Sequence, residues 1–215
     1  MIGRRALLGA GIVLAATGAD CVPPDGRLVF RVARNDRDIG SHVLDFSVSG
    51  DIVETRIDVR LAVKFGPITL FRYHHSGIER SQGGAFVSLE TQTDNDGEAL
   101  TVSARRDGGA VVVAATGLAR QTFAADARPL THWNRACMVA PLFNPQNGKP
   151  LRYTVTPRGR EDVALTGGAV VRATHYALTG DATLDEWYSD DAGVWTKLRA
   201  VAEDGSIIDY RRVVA

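Results

Sequence analysis

Between Val53 and Phe65 the chain alternates without a break. Val53, Thr55, Ile57, Val59, Leu61, Val63 and Phe65 take every second place, and Glu54, Arg56, Asp58, Arg60 and Lys64 fill most of the places between. A side-chain period of two belongs to a β-strand, because a helix would scatter the same apolar residues around its axis. One face of this strand is buried and the other is wet. Such strands belong to antiparallel sheets, since parallel sheets are covered on both faces and carry continuous apolar runs.

The rest of the chain repeats this grammar. Arg27 to Arg34 places Leu28, Phe30 and Val32 on one side, and His42, Leu44, Phe46 and Val48 share a face of the next strand. Ile68 to His75, with Gly77 expected to break it, precedes Ala85 to Thr93, the row Leu100, Val102 and Ala104, and Ala110 to Thr116. The turns between them carry Asn35-Asp36, Gly50-Asp51, Gly66-Pro67, Asp94-Asn95-Asp96-Gly97 and Asp107-Gly108-Gly109, which tolerate positive φ. After Pro150 strands resume at Leu151 to Thr156, Ala169 to Thr179, Ala182 to Ser189, Gly193 to Ala202 and Ser206 to Val213. Pro157-Arg158-Gly159 reads as another turn. No stretch of ten residues has helical amphipathicity. The expectation is an all-β fold: one strongly curled antiparallel meander of about eleven strands, a half-barrel or open barrel, because a sheet of that size must curl or close to shield its apolar face. Residues 118–150 interrupt the rhythm with Pro129, Pro141 and Pro145. A connection that long is usually functional or carries its own small structure, so it is expected to be a lid or plug, with a helical turn or two from Ala136 to Phe143.

The organisation expected is a signal segment over residues 1–19, a linker over 20–26 and a single β domain over 27–215. Arg4 and Arg5 form a positive start, Ala6 to Ala16 is a short apolar run, and Thr17-Gly18-Ala19 offers small residues for cleavage. The arginine pair also suits twin-arginine export. Periplasmic or secreted localisation is expected, with no membrane span in the mature chain. Asp20 before Cys21 disfavours a lipid anchor. Without residues 1–19, which carry two arginines and no acid, 25 basic residues become 23 against 25 acidic ones, a net of −2. No basic stripe is left for a phosphate backbone, which excludes nucleic acid as a partner. Gly-x-Ser-x-Gly, phosphate-binding glycine loops and dinucleotide fingerprints are absent from the sequence, so no cofactor is expected.

Several clusters could carry chemistry. His74 and His75 are adjacent and must point to opposite faces of a strand, so only one of them can join Glu79 or His42 as a ligand or a general acid/base. Asp94, Asp96 and Glu98 resemble the start of a calcium loop, but no acid follows at the closing position, so a hairpin turn is the plainer reading. His132, Asn134 and Cys137 sit near each other without the convergence that thiol catalysis needs. Cys21 and Cys137 can form a disulfide in an oxidising compartment or remain as buried thiols. Trp187 and Trp195 can face each other across a hairpin, as packing partners or as a ligand wall.

Phe30 through Ile39-Gly40-Ser41-His42, Gly66 through Tyr73-His74, Glu79 with Gly84, and Thr93-Asp94-Asn95-Asp96-Gly97 form a recurring pattern. It continues through Trp133-Asn134 before Gln146-Asn147-Gly148, Gly180-Asp181 through Trp187-Tyr188 into Gly193-Val194-Trp195, and Asp204-Gly205-Ser206 to Tyr210. This pattern resembles an uncharacterised family of exported bacterial proteins, a domain of unknown function, over nearly the whole mature chain. The resemblance implies a curled antiparallel sheet similar to the half-barrels of periplasmic lipoprotein carriers, and implies no activity. Ser189-Asp190 follows Trp187-Tyr188 where that pattern leads one to expect an acid directly after the tyrosine.

Three functions are compatible with this. In the first, the domain is a non-enzymatic binding module. Val53, Ile57, Val59, Leu61 and Val63, with Leu44, Phe46, Leu70, Val87 and Leu89, line a concave face for a lipid, an acyl chain or a lipidated partner. His74, Trp133 and Trp187 join this ligand-binding set. In the second, the interior is plugged and the domain serves envelope structure. In the third, it is a hydrolase using His74 or His132 with a carboxylate.

Overall fold

The computed structural model describes residues 21–214. The expected signal segment, residues 1–19, lies outside the described residues. Eight strands run up and down in chain order: β1 (Arg27–Arg34), β2 (Arg37–Ser49), β3 (Ile52–Phe65), β4 (Ile68–Gln82), β5 (Ala85–Asn95), β6 (Glu98–Asp107), β7 (Ala110–Ala115) and β8 (Leu118–Ala124). An inserted segment follows, holding the short strands β9 (Arg128–Pro129), β10 (Leu142–Phe143) and β11 (Pro150–Leu151) and a 3₁₀ turn over Arg135–Met138. A second meander completes the chain: β12 (Tyr153–Ala164), β13 (Val170–Gly180), β14 (Thr183–Ser189), β15 (Trp195–Val201) and β16 (Ile207–Val213).

The two meanders become one sheet through the pairing of the first strand with the last. β16 lies antiparallel to β1, from Val29 opposite Val213 to Arg34 opposite Ile208. The result is a 13-stranded sheet with β8 and β12 at its edges, beside a three-stranded sheet made by the inserted segment. This corrects the expectation of a strongly curled half-barrel of about eleven strands: the sheet has thirteen and stays open, because β8 and β12 pair only with β7 and β13. The edge β12 is guarded by Arg158, Arg160, Glu161 and Asp162, all exposed, as edges that resist further pairing usually are.

Three boundaries differ from the sequence reading. β4 runs through Gly77 instead of stopping there. A Cβ at that position would lie 2.6 Å from Thr91 Cγ2 and 2.9 Å from the Glu90 carbonyl, so the glycine admits a close neighbour strand. β12 continues through Pro157 and Gly159 as a bulge, which an edge strand tolerates. β8 falls inside the segment expected to be loop; its sequence LARQTFA buries no residue fully, so its alternation is weak. The 3₁₀ turn at Arg135–Met138, by contrast, sits where one or two helical turns are expected.

The alternation of β3 is kept in space. Val53, Thr55, Ile57 and Val59 are buried, and Glu54, Arg56, Asp58 and Arg60 face outward. The inner face of the sheet holds a main cluster that includes Leu28, Phe30, Leu44, Tyr188 and Trp195, and a second one around Phe86, Leu89, Val102 and Val113. The inserted segment lies on this face and supplies its own core residues to both: Trp133 packs edge-on to Phe46 at 5.4 Å, and Phe143 meets Phe86 and Phe123 at 5.8 and 5.5 Å. Thr91 Oγ1 on β5 donates to the Pro145 carbonyl at 2.6 Å. The segment is therefore a packed plug across part of the sheet.

Candidate functional site

Where the plug ends, a pocket of about 340 Å³ remains. Its walls come from both meanders: Ile57, Val59, Leu61 and Val63 on β3, Phe71, Tyr73 and His75 on β4, Leu184 on β14, Leu198 on β15, and Ile208 and Tyr210 on β16. The inserted segment contributes Leu130, Thr131, His132, Pro145 and Gln146, and β2 contributes His42. The floor residues His42, Ile57, Val59 and His75 are buried, while Arg34, Ile39 and Val63 towards the rim are half-buried. Gly40, beside this rim, has φ +145, and a Cβ there would fall 1.9 Å from the Arg60 carbonyl. Only glycine lets β2 and β3 approach so closely there.

Four polar side chains of the pocket, His42, Tyr73, His75 and Tyr210, are held uncharged at neutral pH by burial. Burial holds the His42 imidazole down to about 3, helped by His132 and His75 and opposed by Asp58. Burial, then His74, holds His75 down to about 4. The Tyr210 phenol is pushed up to about 12 by burial, and Tyr73 higher still by burial and then by Tyr210. His75 Nδ1 is hydrogen-bonded to Thr93 Oγ1 at 2.8 Å. His42 is ringed by Trp195 at 5.4 Å and Tyr210 at 5.9 Å, and its Nε2 has no hydrogen-bond partner. An unpartnered buried nitrogen is costly and needs a reason.

A second polar arrangement fastens the plug. His132 has φ +67, a left-handed backbone that a side-chain-bearing residue adopts only when its surroundings insist. Here they do: its ring stacks on Trp195 at 5.3 Å, its Nδ1 is hydrogen-bonded to Glu186 Oε1 at 2.9 Å, and its carbonyl accepts from the Tyr188 hydroxyl at 2.8 Å. The same Tyr188 hydroxyl also lies against the other oxygen of Glu186, so its one proton is shared between these two acceptors, and Glu186 is fully buried. Burial and then Glu186 push the Tyr188 phenol far up. Glu79 on β4 serves the neighbouring residues: its Oε2 accepts from Thr131 Oγ1 and from the Trp133 indole N–H, both at 2.7 Å. Burial raises the Glu79 carboxyl despite these bonds. Glu186→Ala is expected to cost about 2–3 kcal/mol, because it strands His132 and removes a Tyr188 partner. Glu186→Gln should restore about half of that, and urea unfolding of the three proteins checks it.

The sequence-expected residues divide by face. Ile57, Val59 and Leu61 line the pocket. Leu44 and Trp133 are buried in the core beside it, and Phe46 packs against Trp133. His74 points to the outer face, where Nε2 meets Asp58 Oδ1 at 2.8 Å with nearly half its side chain exposed. Leu70 is 60% exposed near the β3–β4 turn, together with Phe65 and Ile68, and so does not belong to the inner row. A register shift at Arg80/Ser81 brings Phe86, instead of Val87, into the core.

Trp187 and Trp195 do not face each other. A bulge after Trp187 sets Tyr188 opposite Trp195 and Trp187 opposite Lys197. Trp187 then stacks on His175 at 4.3 Å, in a third cluster with Val163, Leu165 and Ala173. Cys21 and Cys137 are buried in the same main cluster. No Cys21–Cys137 bridge is formed: the Cys137 Sγ–H donates to the Pro129 carbonyl at 3.3 Å, and burial raises its thiol far above the usual range. Among the described residues no group of three or more His, Cys, Asp or Glu side chains is placed to hold a metal ion.

Glu186 and Tyr210 escape the sequence reading. Glu186 carries a signal, an acid on the inner row Leu184-x-Glu186-x-Tyr188. Tyr210 carries none, because its place depends on the pairing of β16 with β1.

Fold and pocket define a class: an all-β protein with one large antiparallel sheet, partly plugged by its own inserted segment, with an apolar-walled pocket beside the plug. The chain belongs to the family described as domain of unknown function DUF6134, whose model matches residues 30–213. This agrees with the resemblance drawn from its turns. Among solved structures it is similar to the crystal structure of a beta-barrel-like protein of domain of unknown function DUF1849 from Brucella abortus. That likeness has a TM-score of 0.62 and 13% identity over 87% of this chain and 94% of the other, and it speaks to the fold alone. No curated protein matches the chain. Among the described residues no helix is long and apolar enough to cross a membrane.

Proposed function

We propose that the domain is a non-enzymatic binding module that holds an apolar, lipid-like ligand, or the acyl chain of a lipidated partner, in the pocket beside the plug. The observation that carries this is the pocket itself: about 340 Å³ walled by Ile57, Val59, Leu61, Leu184 and Leu198. Ligand sites run from roughly 300 to 1,000 Å³, so the space suits a single short chain. Each methylene moved from water into such walls contributes about 0.8 kcal/mol before ordering costs. The Arg4-Arg5 start and the apolar run after it support export, which would set this pocket in the cell envelope.

His132 beside Glu186 is the one arrangement that favours a hydrolase, since it pairs an imidazole with a carboxylate at the pocket wall. Against it, the Thr131 hydroxyl is directed to Glu79, so it makes no nucleophile–base bond to His132. The packed plug also favours a purely structural domain, and a ligand decides between the two. Native mass spectrometry of protein exported by its own signal should show a co-purified adduct of lipid mass. Delipidated protein should then gain thermal stability with chain-bearing amphiphiles. An absence of both would count for the structural domain.

A further inference from the structure

We propose that the ligand is an amphiphile with an anionic head: its hydrocarbon chain lies in the apolar pocket, and its carboxylate or phosphate sits outside, in a basic notch at the rim, against Arg37 and Lys64. This rests on the binding-module reading and adds the charge and the place of the polar end. The notch lies where two strands part. The β2–β3 ladder runs out at Gly40 opposite Leu61, so Arg37 and Asp38 at the start of β2 have no partner residue on β3. Between these strand ends is a space of about 700 Å³ whose charged lining is Arg34, Arg37, Asp38 and Lys64. Arg34, Ile39 and Val63 line both this space and the apolar pocket, so the two adjoin.

The charges of the notch are unevenly matched. Asp38 is held by Arg31 at 3.2 Å and accepts from the Gly40 N–H at 3.0 Å. Arg34 is paired with Asp204, and Asp36 in the adjoining turn with Arg211 at 3.4 Å. Arg37 and Lys64 are exposed, and among the described residues no carboxylate pairs with either. Two cations without a counter-charge beside a cleft favour an anion there. The apolar pocket itself offers a charge no such place. His75 is bonded to Thr93, Thr131 to Glu79 and His132 to Glu186. The unpartnered His42 Nε2 is sealed off from the cavity. Gln146 presents a half-buried amide, and Tyr73 and Tyr210 present phenols; all three are neutral. A carboxylate drawn in among them would lose its water and gain no counter-ion, which is prohibitive in such surroundings. In the notch it keeps much of its water and meets two cations.

Isothermal titration of the delipidated full-length mature protein at neutral pH with decanoate, 1-decanol and acetate tests the proposal. The double variant Arg37→Gln/Lys64→Gln should weaken decanoate by roughly 5-fold, the worth of two exposed ion pairs, and should change 1-decanol by less than about 2-fold. In the unaltered protein, raising NaCl from about 20 mM to about 0.5 M should lower the ratio of decanoate to 1-decanol affinity by a similar factor, because salt screens the notch and not the chain. Acetate carries the head without the chain and should bind at least about 100-fold more weakly than decanoate. The proposal is overturned if the double variant binds decanoate unchanged, if it loses both chain-bearing probes equally, or if the affinity ratio ignores salt. Acetate binding as tightly as decanoate overturns it too, since the notch would then hold free anions without the pocket. In the first and third of these cases the apolar site itself stands. Binding of neither decanoate nor 1-decanol overturns the binding-module reading as well.

Discussion

Trp133→Ala should lower the unfolding free energy by about 3–5 kcal/mol, the range for deleting a large buried aromatic side chain. The indole is completely buried. It contacts Phe46 on β2 and donates to Glu79 on β4, so it ties the inserted segment to two strands at once. Alanine leaves a cavity, and it leaves Glu79 Oε2 with Thr131 as its remaining bonded partner. Trp133→Phe fills most of the volume and loses only the N–H bond, so it should cost about 1–3 kcal/mol. The two variants separate packing from hydrogen bonding, and urea denaturation reads both. A Trp133→Ala cost below about 1 kcal/mol would mean that the inserted segment is not the fastening described here.

Acid should unfold this protein well before its carboxylates are exhausted. His42 and His75 are buried neutral, with folded pKa values of about 3 and about 4 against 6.5 in the unfolded chain. Below pH 6.5 the unfolded chain takes up protons that the folded one refuses. The stability these histidines contribute is therefore complete above about pH 6.5 and is lost progressively as the pH falls towards 4 and then 3. Each pKa unit corresponds to about 1.4 kcal/mol, so the two together amount to several kcal/mol, a large part of the stability of an ordinary domain. Glu79 acts in the opposite sense: its carboxyl titrates higher in the folded protein, so its protonation on acidification favours the fold. One such group offsets the two histidines only in part. The measurement is unfolding free energy against pH from 8 to 4. His42→Leu should flatten the profile over that window, and an equally steep profile in the variant would show that His42 does not charge on unfolding.

Much of the fold is legible locally. The strict alternation of β3 sorts its residues onto two faces, and the paired left-handed residues Asn35 and Asp36, φ 47 and 63, close a two-residue hairpin just where the sequence marks a turn. Errors arose where a residue had two possible reasons to be present. Gly77 reads as a strand breaker and serves instead as room for Thr91; Pro157 reads as a turn and serves instead as an edge bulge. The position of Trp187 depends on a bulge that moves it to the opposite side of the sheet from Trp195, and no local pattern announces a bulge.

Strand character, antiparallel sense, most of the turns and the wet and dry sides of β3 are legible in the residues alone, because they follow from a period of two and from residues that accept positive φ, whereas on β4 Leu70 and His74 lie on the outer side. The sequence also singled out Ile57, Val59 and Leu61, which do line the pocket. That β16 pairs with β1, that residues 125–151 pack against the sheet as a plug and not a lid, and that His42, Tyr73, His132 and Tyr210 share one cavity are seen only in three dimensions. The physical reason is range. Alternation and turn chemistry act over a few neighbouring residues, whereas the pocket is assembled by pairings between residues up to about 180 positions apart, each chosen by the packing of the whole chain.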